Sequence, residues 1–267
     1  FDYWIVKLNT EGKIEWQKTY GGAQMDVLKT IIQTSDGGYL IGGNSNSKSS
    51  KYKSADNIGE NDYWILKTDD KGELLWEKTI GGDKDEYLST MIKTFDDKFI
   101  LAGSSNSGVS GIKTSGSKGT DFWILKIDDK GELIWQNVYN YGKTDVLSSV
   151  IENPDGSLLV AGYAQSEVMG TSKKDKEGIN DYIVLKINMK GEEIWTQTVG
   201  SNGEDILKKA VETRDGGYLL AGTSKGKVSR DKNTNQGSND FWAVKLKDKD
   251  KPEKPKTSIE AVPNPTE

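Results

Sequence analysis

Apolar-rich runs of about seven residues recur along the chain, each closed by a short polar turn, and their order repeats. The run DYWIVKL at Asp2 returns as DYWILKT at Asp62, DFWILKI at Asp121, DYIVLKI at Asp181 and DFWAVKL at Asp240. A second run follows the first four of these: GKIEWQKTY, GELLWEKTI, GELIWQNVY and GEEIWTQTV. Two more complete the repeat, the series LKTIIQT, LSTMIKT, LSSVIEN, LKKAVET and the series YLIGGNS, FILAGSS, LLVAGYA, LLAGTS. The starts lie 60, 59, 60 and 59 residues apart, so the chain is a repeat protein with a period near sixty.

The runs are rich in Ile, Val, Trp, Tyr and Thr and lack helix punctuation, which predicts strands. The turns agree. NTEG, DDKG, DDKG and NMKG join the first run to the second, with glycine where a positive φ is cheap. SDGG, FDDK, PDGS and RDGG join the third to the fourth and are mostly Asp-Gly hairpin signals. Four antiparallel strands repeated in this way predict an all-β chain and, more specifically, the blades of a β-propeller.

The order of strand, D-G turn, strand ending in A-G-x-S, long loop and D-[YF]-W-[IV]-[VL]-K resembles WD-repeat-like and quinoprotein-like propellers. More closely, it is similar to repeats of secreted Bacteroidota proteins. The likeness spans residues 2 to about 246. By the WD-repeat analogy the LKTIIQT type is the innermost strand and the GKIEWQKTY type the outermost. The chain then begins with two strands of one blade, has three whole blades, and ends with three strands. Lys13–Tyr20 could clasp onto the last blade and close a four-bladed ring. Asp2–Leu8 would then compete with Asp240–Leu246 for one place, which suits a part of a larger ring equally well. Phe1 to Leu8 already reads as strand, as in a processed or partial chain.

Residues 247–257 (KDKDKPEKPKT) form a charged, proline-bearing linker, since four of the five prolines lie from Pro252 onward. Residues 258–267 (SIEAVPNPTE) resemble the start of a type IX secretion C-terminal sorting domain, with Pro263, Asn264 and Pro265 as the motif. That resemblance implies a cargo of the type IX secretion machinery, secreted or held at the outer-membrane surface.

Composition narrows the chemistry. There is no histidine and no cysteine, which removes the commonest general base, thiolate ligands and disulfides. Net charge is −5 with the signs interspersed, and Arg214 and Arg230 are the only arginines, so a nucleic-acid footprint is missing. No apolar run is long enough to span a membrane.

The eight tryptophans fall in two repeat columns, Trp4, Trp64, Trp123 and Trp242, then Trp16, Trp76, Trp135 and Trp195. A residue present in every repeat serves the packing of neighbouring units, and Ile183 in the first column predicts one seam that packs differently. The strand-opening aspartates (Asp2, Asp62, Asp121, Asp181, Asp240) and the lysines five residues on (Lys7, Lys67, Lys126, Lys186, Lys245) read in the same way.

Asp26, Glu86, Asp145 and Asp205 each precede a presumed innermost strand. In a propeller they would ring one mouth of the channel and could hold calcium or a cationic ligand, or else cap four separate loops. Asp231, Asn233 and Asn235 in DKNTNQG partly resemble a calcium loop, although the glycine is one place late and the distal glutamate is missing. The long loops Asn46–Asn61, Asn106–Thr120, Gln165–Asn180 and Lys225–Asn239 differ most among the repeats, and variable loops on a rigid frame are where binding concentrates. These features favour a non-enzymatic secreted or surface module that binds a glycan or protein ligand. A carboxylate-based glycan hydrolase or lyase, and a passive spacer, are the alternatives.

Overall fold

A computed structural model describes residues 1–165 and 179–248 of the chain. The described residues hold five antiparallel sheets and no helix. The first sheet pairs β1 (Tyr3–Leu8) with β2 (Ile14–Tyr20). The second runs β3 (Asp26–Gln33), β4 (Tyr39–Ser45), β5 (Asp62–Thr68), β6 (Leu74–Ile80). The third runs β7 (Glu86–Lys93), β8 (Phe99–Ser105), β9 (Asp121–Ile127), β10 (Leu133–Tyr139). The fourth runs β11 (Thr144–Glu152), β12 (Leu158–Gln165), β13 (Asn180–Ile187), β14 (Glu193–Val199), and the fifth β15 (Asp205–Glu212), β16 (Tyr218–Ser224), β17 (Asp240–Leu246). In each full sheet the strands lie side by side in chain order, the order expected of the repeat.

The local turns explain that order. Gly12, Gly72, Gly131 and Gly191 close the hairpins between the DYWIVKL-type and GKIEWQKTY-type strands at φ of 75–79°. At the other hairpin Gly37, Gly156 and Gly216 hold φ of 79–85°, and Asp97 takes the equivalent place at φ 56°. Aspartate is among the few non-glycine residues that tolerate this region.

Consecutive sheets stack face to face and share four cores. The middle strands β5 and β9 are buried at every position, which is why their sequences are almost continuously apolar. At the seams an aromatic residue of one sheet lies over a glycine of the next. A Cβ on Gly43 would come within 2.7 Å of the Tyr3 hydroxyl, and one on Gly103 within 2.5 Å of the Tyr63 hydroxyl. Tyr3, Tyr63 and Tyr182 donate their hydroxyls to the carbonyls of Trp64, Trp123 and Trp242 at 3.1, 3.4 and 3.3 Å.

The seam between the third and fourth sheets differs, as Ile183 predicted. Phe122 replaces the tyrosine and Ile183 the tryptophan, and Tyr141 packs its ring edge on Phe122 at 6.1 Å between centroids. Tyr141 stands where the other repeats have Gly22, Gly82 or Ser201, so a bulky ring fills the volume that the smaller pair leaves.

The expected β-propeller is corrected here. No sheet closes into a ring, and the first and last sheets do not touch; the five sheets form an open row. The clasp also fails. Lys13–Tyr20 was expected to complete the last sheet, but β2 pairs with β1, and β17 has no outer neighbour among the described residues. A hairpin closed by the short Asn9–Lys13 turn costs far less chain entropy than pairing strands from opposite ends of the chain.

Candidate functional site

The long loops Asn46–Asn61, Asn106–Thr120 and Lys225–Asn239 leave the row at one edge, because each joins the second strand of its sheet to the third. Strand pairing places two acids at that edge of the second to fifth sheets. Asp26 stands opposite Ser45, which stands opposite Asp62. Glu86, Ser105 and Asp121 repeat the arrangement, as do Asp145, Ala164 and Asp181, and then Asp205, Ser224 and Asp240.

Backbone bonds join the triplets from sheet to sheet. The Glu86 N–H donates to the Asn61 carbonyl at 2.7 Å, and the Asp145 N–H to the Thr120 carbonyl at 2.6 Å. Acids of adjacent sheets therefore meet. Gly81 separates Asp62 from Glu86, and a methyl group there would overlap Asp62 Oδ1 and lie 2.7 Å from Glu86 Oε2. The expected ring of four carboxylates is thus corrected to a line of acids along an open row.

Asp26, Glu86, Asp145 and Asp205 are at most 1% exposed. Each accepts the amide N–H four residues before it: Gly22 at 2.7 Å, Gly82 at 2.6 Å, Tyr141 at 2.7 Å and Ser201 at 2.6 Å. Ser47 and Ser105 hydroxyls add bonds to Asp26 and Glu86 at 2.9 and 2.6 Å. These carboxylates lock the loop that enters each first strand.

Burial pushes the Asp62 carboxyl up to about 6 and the Asp145 carboxyl up to about 7, and raises Asp181 as well. The neighbouring acid adds to each, Glu86 for Asp62, Asp121 for Asp145 and Asp205 for Asp181. Arg230 opposes the rise at Asp181 with a 2.9 Å ion pair.

Three lysines that the strand reading passed over supply positive charge to this edge. Lys53, Lys113 and Lys232 are 0%, 2% and 2% exposed, although each belongs to a long loop. The Lys113 ammonium donates to Ser105 Oγ and the Ser107 carbonyl, both at 2.8 Å, and to Ser117 Oγ at 2.6 Å. Since Ser105 bonds Glu86, the lysine and the acid are linked through one hydroxyl. Lys232 donates to Asp240 at 2.8 Å and to the Gly226 carbonyl at 2.7 Å. The signal was in the sequence: a lysine eight or nine residues before the strand-opening aspartate in all four loops, Lys53, Lys113, Lys173 and Lys232. Loop divergence hid it.

The calcium-loop candidate takes a different form. Asp231 accepts the Gly200 N–H at 2.9 Å, and Asn235 accepts the Lys232 ammonium at 3.3 Å. Lys232 brings its own cation into the loop. Asn233 is not drawn into a common ligand set, and among the described residues no group of three or more Asp or Glu could hold a metal.

The recurring lysines serve the opposite edge. Lys67 and Lys126 pair with the hairpin acids Asp36 and Asp96, both at 2.8 Å, and Lys245 pairs with Asp215. Lys186 reaches Asp248 at 3.1 Å, and Asp248 also accepts the Tyr218 hydroxyl at 3.0 Å. Asp248 lies in the segment read as linker, so the chain docks back on the fourth and fifth sheets beyond Leu246.

Among the exposed parts of the loop edge, the first loop forms a polar cleft. It measures about 380 Å³ and is lined by Gln24, Asn46, Lys48, Asp56, Asn57 and Glu60. Asn57 is fixed there by donating to the Ser45 and Glu60 carbonyls at 2.8 and 2.9 Å, and its own Oδ1 has no hydrogen-bond partner.

Compared with known proteins, the chain matches no family model, and no curated sequence is similar to it. The resemblance to secreted propeller repeats therefore has no counterpart in these comparisons. Pro263, Asn264 and Pro265 lie outside the described residues, and the type IX and Bacteroidota assignments gain no support. No helix of the described residues is long and apolar enough to cross a membrane.

Proposed function

We propose that this chain is a non-enzymatic binding module, displayed outside the cell, that engages a glycan or protein ligand with its loop edge. The polar cleft at Gln24, Lys48, Asp56 and Asn57 carries this reading. It is the exposed counterpart of an edge whose repeated charges are otherwise buried and paired. Amide, carboxylate and ammonium groups around a cleft suit a hydroxyl-rich ligand, and the packed sheets behind would hold them still on binding. Asp26, Glu86, Asp145 and Asp205 are too buried to meet a substrate, which weighs against the hydrolase or lyase reading.

Glycan and protein arrays test the proposal. The expected result is a bound ligand, released unchanged, whose signal falls at least tenfold in a Gln24→Ala/Lys48→Ala double variant. Blank arrays would favour a spacer, and turnover of the ligand would favour an enzyme.

A further inference from the structure

Among the seams of the second to fifth sheets, two answer the strand-opening aspartate with a side-chain nitrogen from the next sheet and one does not. Where the third and fourth sheets meet, the Asn140 amide donates to Asp121 Oδ1 at 2.8 Å, beside Asp145. Where the fourth and fifth meet, Arg230 Nη1 donates to Asp181 Oδ2 at 2.9 Å and to the Ser201 carbonyl at 3.1 Å, beside Asp205. Where the second and third meet, glycines hold both of these places. Gly81 follows Asp62 by the same interval at which Asn140 follows Asp121. Gly111 and Arg230 lie within loop bridges of one form, Ser110–Lys113 and Ser229–Lys232, and take the same positive φ of 56° and 50°.

Asp62 and Glu86 therefore face each other at that seam with no cation in contact. Both are fully buried. Asp62 Oδ2 accepts the Ile58 N–H at 2.7 Å, but Asp62 Oδ1 has no hydrogen-bond partner. That oxygen is aimed at Glu86, since a methyl carbon on Gly81 would lie 1.9 Å from it and 2.7 Å from Glu86 Oε2. The buried lysines of the two adjoining loops are engaged elsewhere. Lys53 donates to the Ala55 carbonyl at 2.7 Å, and Lys113 reaches Glu86 only through the Ser105 hydroxyl. Two buried carboxylates side by side are costly unless a positive charge neutralises them.

We propose that Asp62 and Glu86 form a calcium site, with Asp62 Oδ1 and Glu86 Oε2 as its carboxylate ligands. Two carboxylates balance one divalent charge. Their oxygens are hard donors, and a chain without histidine or cysteine offers nothing that favours a softer metal. Calcium accepts an irregular set of oxygens, whereas magnesium demands a near-ideal octahedron. This is a site of one seam, not a ring around an axis. The ion does between the second and third sheets what Arg230 does between the fourth and fifth.

Thermal melting and isothermal titration calorimetry of the whole chain at neutral pH, after treatment with a chelator, test this. The probes are calcium chloride, magnesium chloride and sodium chloride at matched ionic strength. Wild type is expected to bind one calcium ion with a Kd of about 10⁻⁴–10⁻³ M, as extracellular calcium modules do, and to melt higher when it is bound. Asp62→Asn should weaken binding by about tenfold or more, because one charged ligand is lost. Gly81→Asn carries the Asn140 amide into this seam, and should abolish calcium binding while melting no lower than calcium-free wild type. If that variant melts lower, Glu86→Gln replaces it, with weakened binding as the expected result. A wild type that calcium neither heats nor stabilises would overturn the proposal, and stabilisation by acid alone would then assign the seam a shared proton. Equal effects of all three salts, or calcium binding untouched in Asp62→Asn and Glu86→Gln, would overturn it as well.

Discussion

The Tyr3 hydroxyl donates to the Trp64 carbonyl at 3.1 Å while the two rings pack 4.9 Å apart, so one side chain fixes both the spacing and the register of two sheets. Tyr3→Phe keeps the ring and removes the bond. A buried hydrogen bond of this kind contributes about 1 kcal/mol. The urea midpoint should drop accordingly, and Tyr182→Phe should behave alike. An unchanged midpoint would mean that ring packing alone sets the seam.

Glycine beneath those rings is required by close approach. A methyl group at Gly103 would overlap the Tyr87 carbonyl and come within 2.5 Å of the Tyr63 hydroxyl. Gly103→Ala should cost roughly 1–3 kcal/mol, the range for overpacking a tight core. A Tyr63→Phe background should recover part of the loss, which chemical denaturation of the four variants would measure.

Stability should depend on pH through the buried acids. An unfolded aspartate titrates near 4, whereas burial raises Asp62 to about 6 and Asp145 to about 7. Between those values the folded chain holds protons that the unfolded chain has released. Stability therefore falls as pH rises from about 4 to about 7. Asp36 works in the other direction, since its bond from Lys67 holds it down at about 2, and its contribution is lost in stronger acid. Denaturation midpoints measured from pH 3 to 8 should peak under mildly acidic conditions. Asp145→Asn should flatten the fall between pH 5 and 7.

Removing a buried lysine should show how the loop edge balances its charge. Lys113→Met leaves the Ser105 and Ser117 hydroxyls and the Ser107 carbonyl without their donor, next to Glu86 and Asp121. A cost of about 3 kcal/mol is expected, as for breaking a buried charge network. Adding Glu86→Gln should restore part of it. Additive losses in the double variant would show that the two groups are not coupled.

Asp248 should matter more than a linker residue would. Its carboxylate is fully buried against Lys186, and it also accepts the Tyr218 hydroxyl. Asp248→Ala should destabilise the chain by about 3 kcal/mol, because it removes the nearer carboxylate from a buried ammonium whose other acid, Asp155, lies at 3.9 Å. An exposed linker residue would change the melting temperature by less than a degree or two.

The sequence by itself determined the period, the strands, their order within each sheet and the positions of the turns. These follow from local rules: β-branched and aromatic runs, and glycine or aspartate where φ turns positive. It also marked the irregular seam at Ile183. Tertiary structure decided how the sheets relate. Whether first and last sheets meet depends on the accumulated geometry of every seam and on which partner β2 finds, and neither is written in any one repeat. Three-dimensional contact likewise turned the four acids from a ring into a line of loop locks. It buried Lys53, Lys113 and Lys232, whose loops share little else. Such burial depends on neighbours distant in the chain, as Lys186 and Asp248 show, and a repeat read one unit at a time does not contain them.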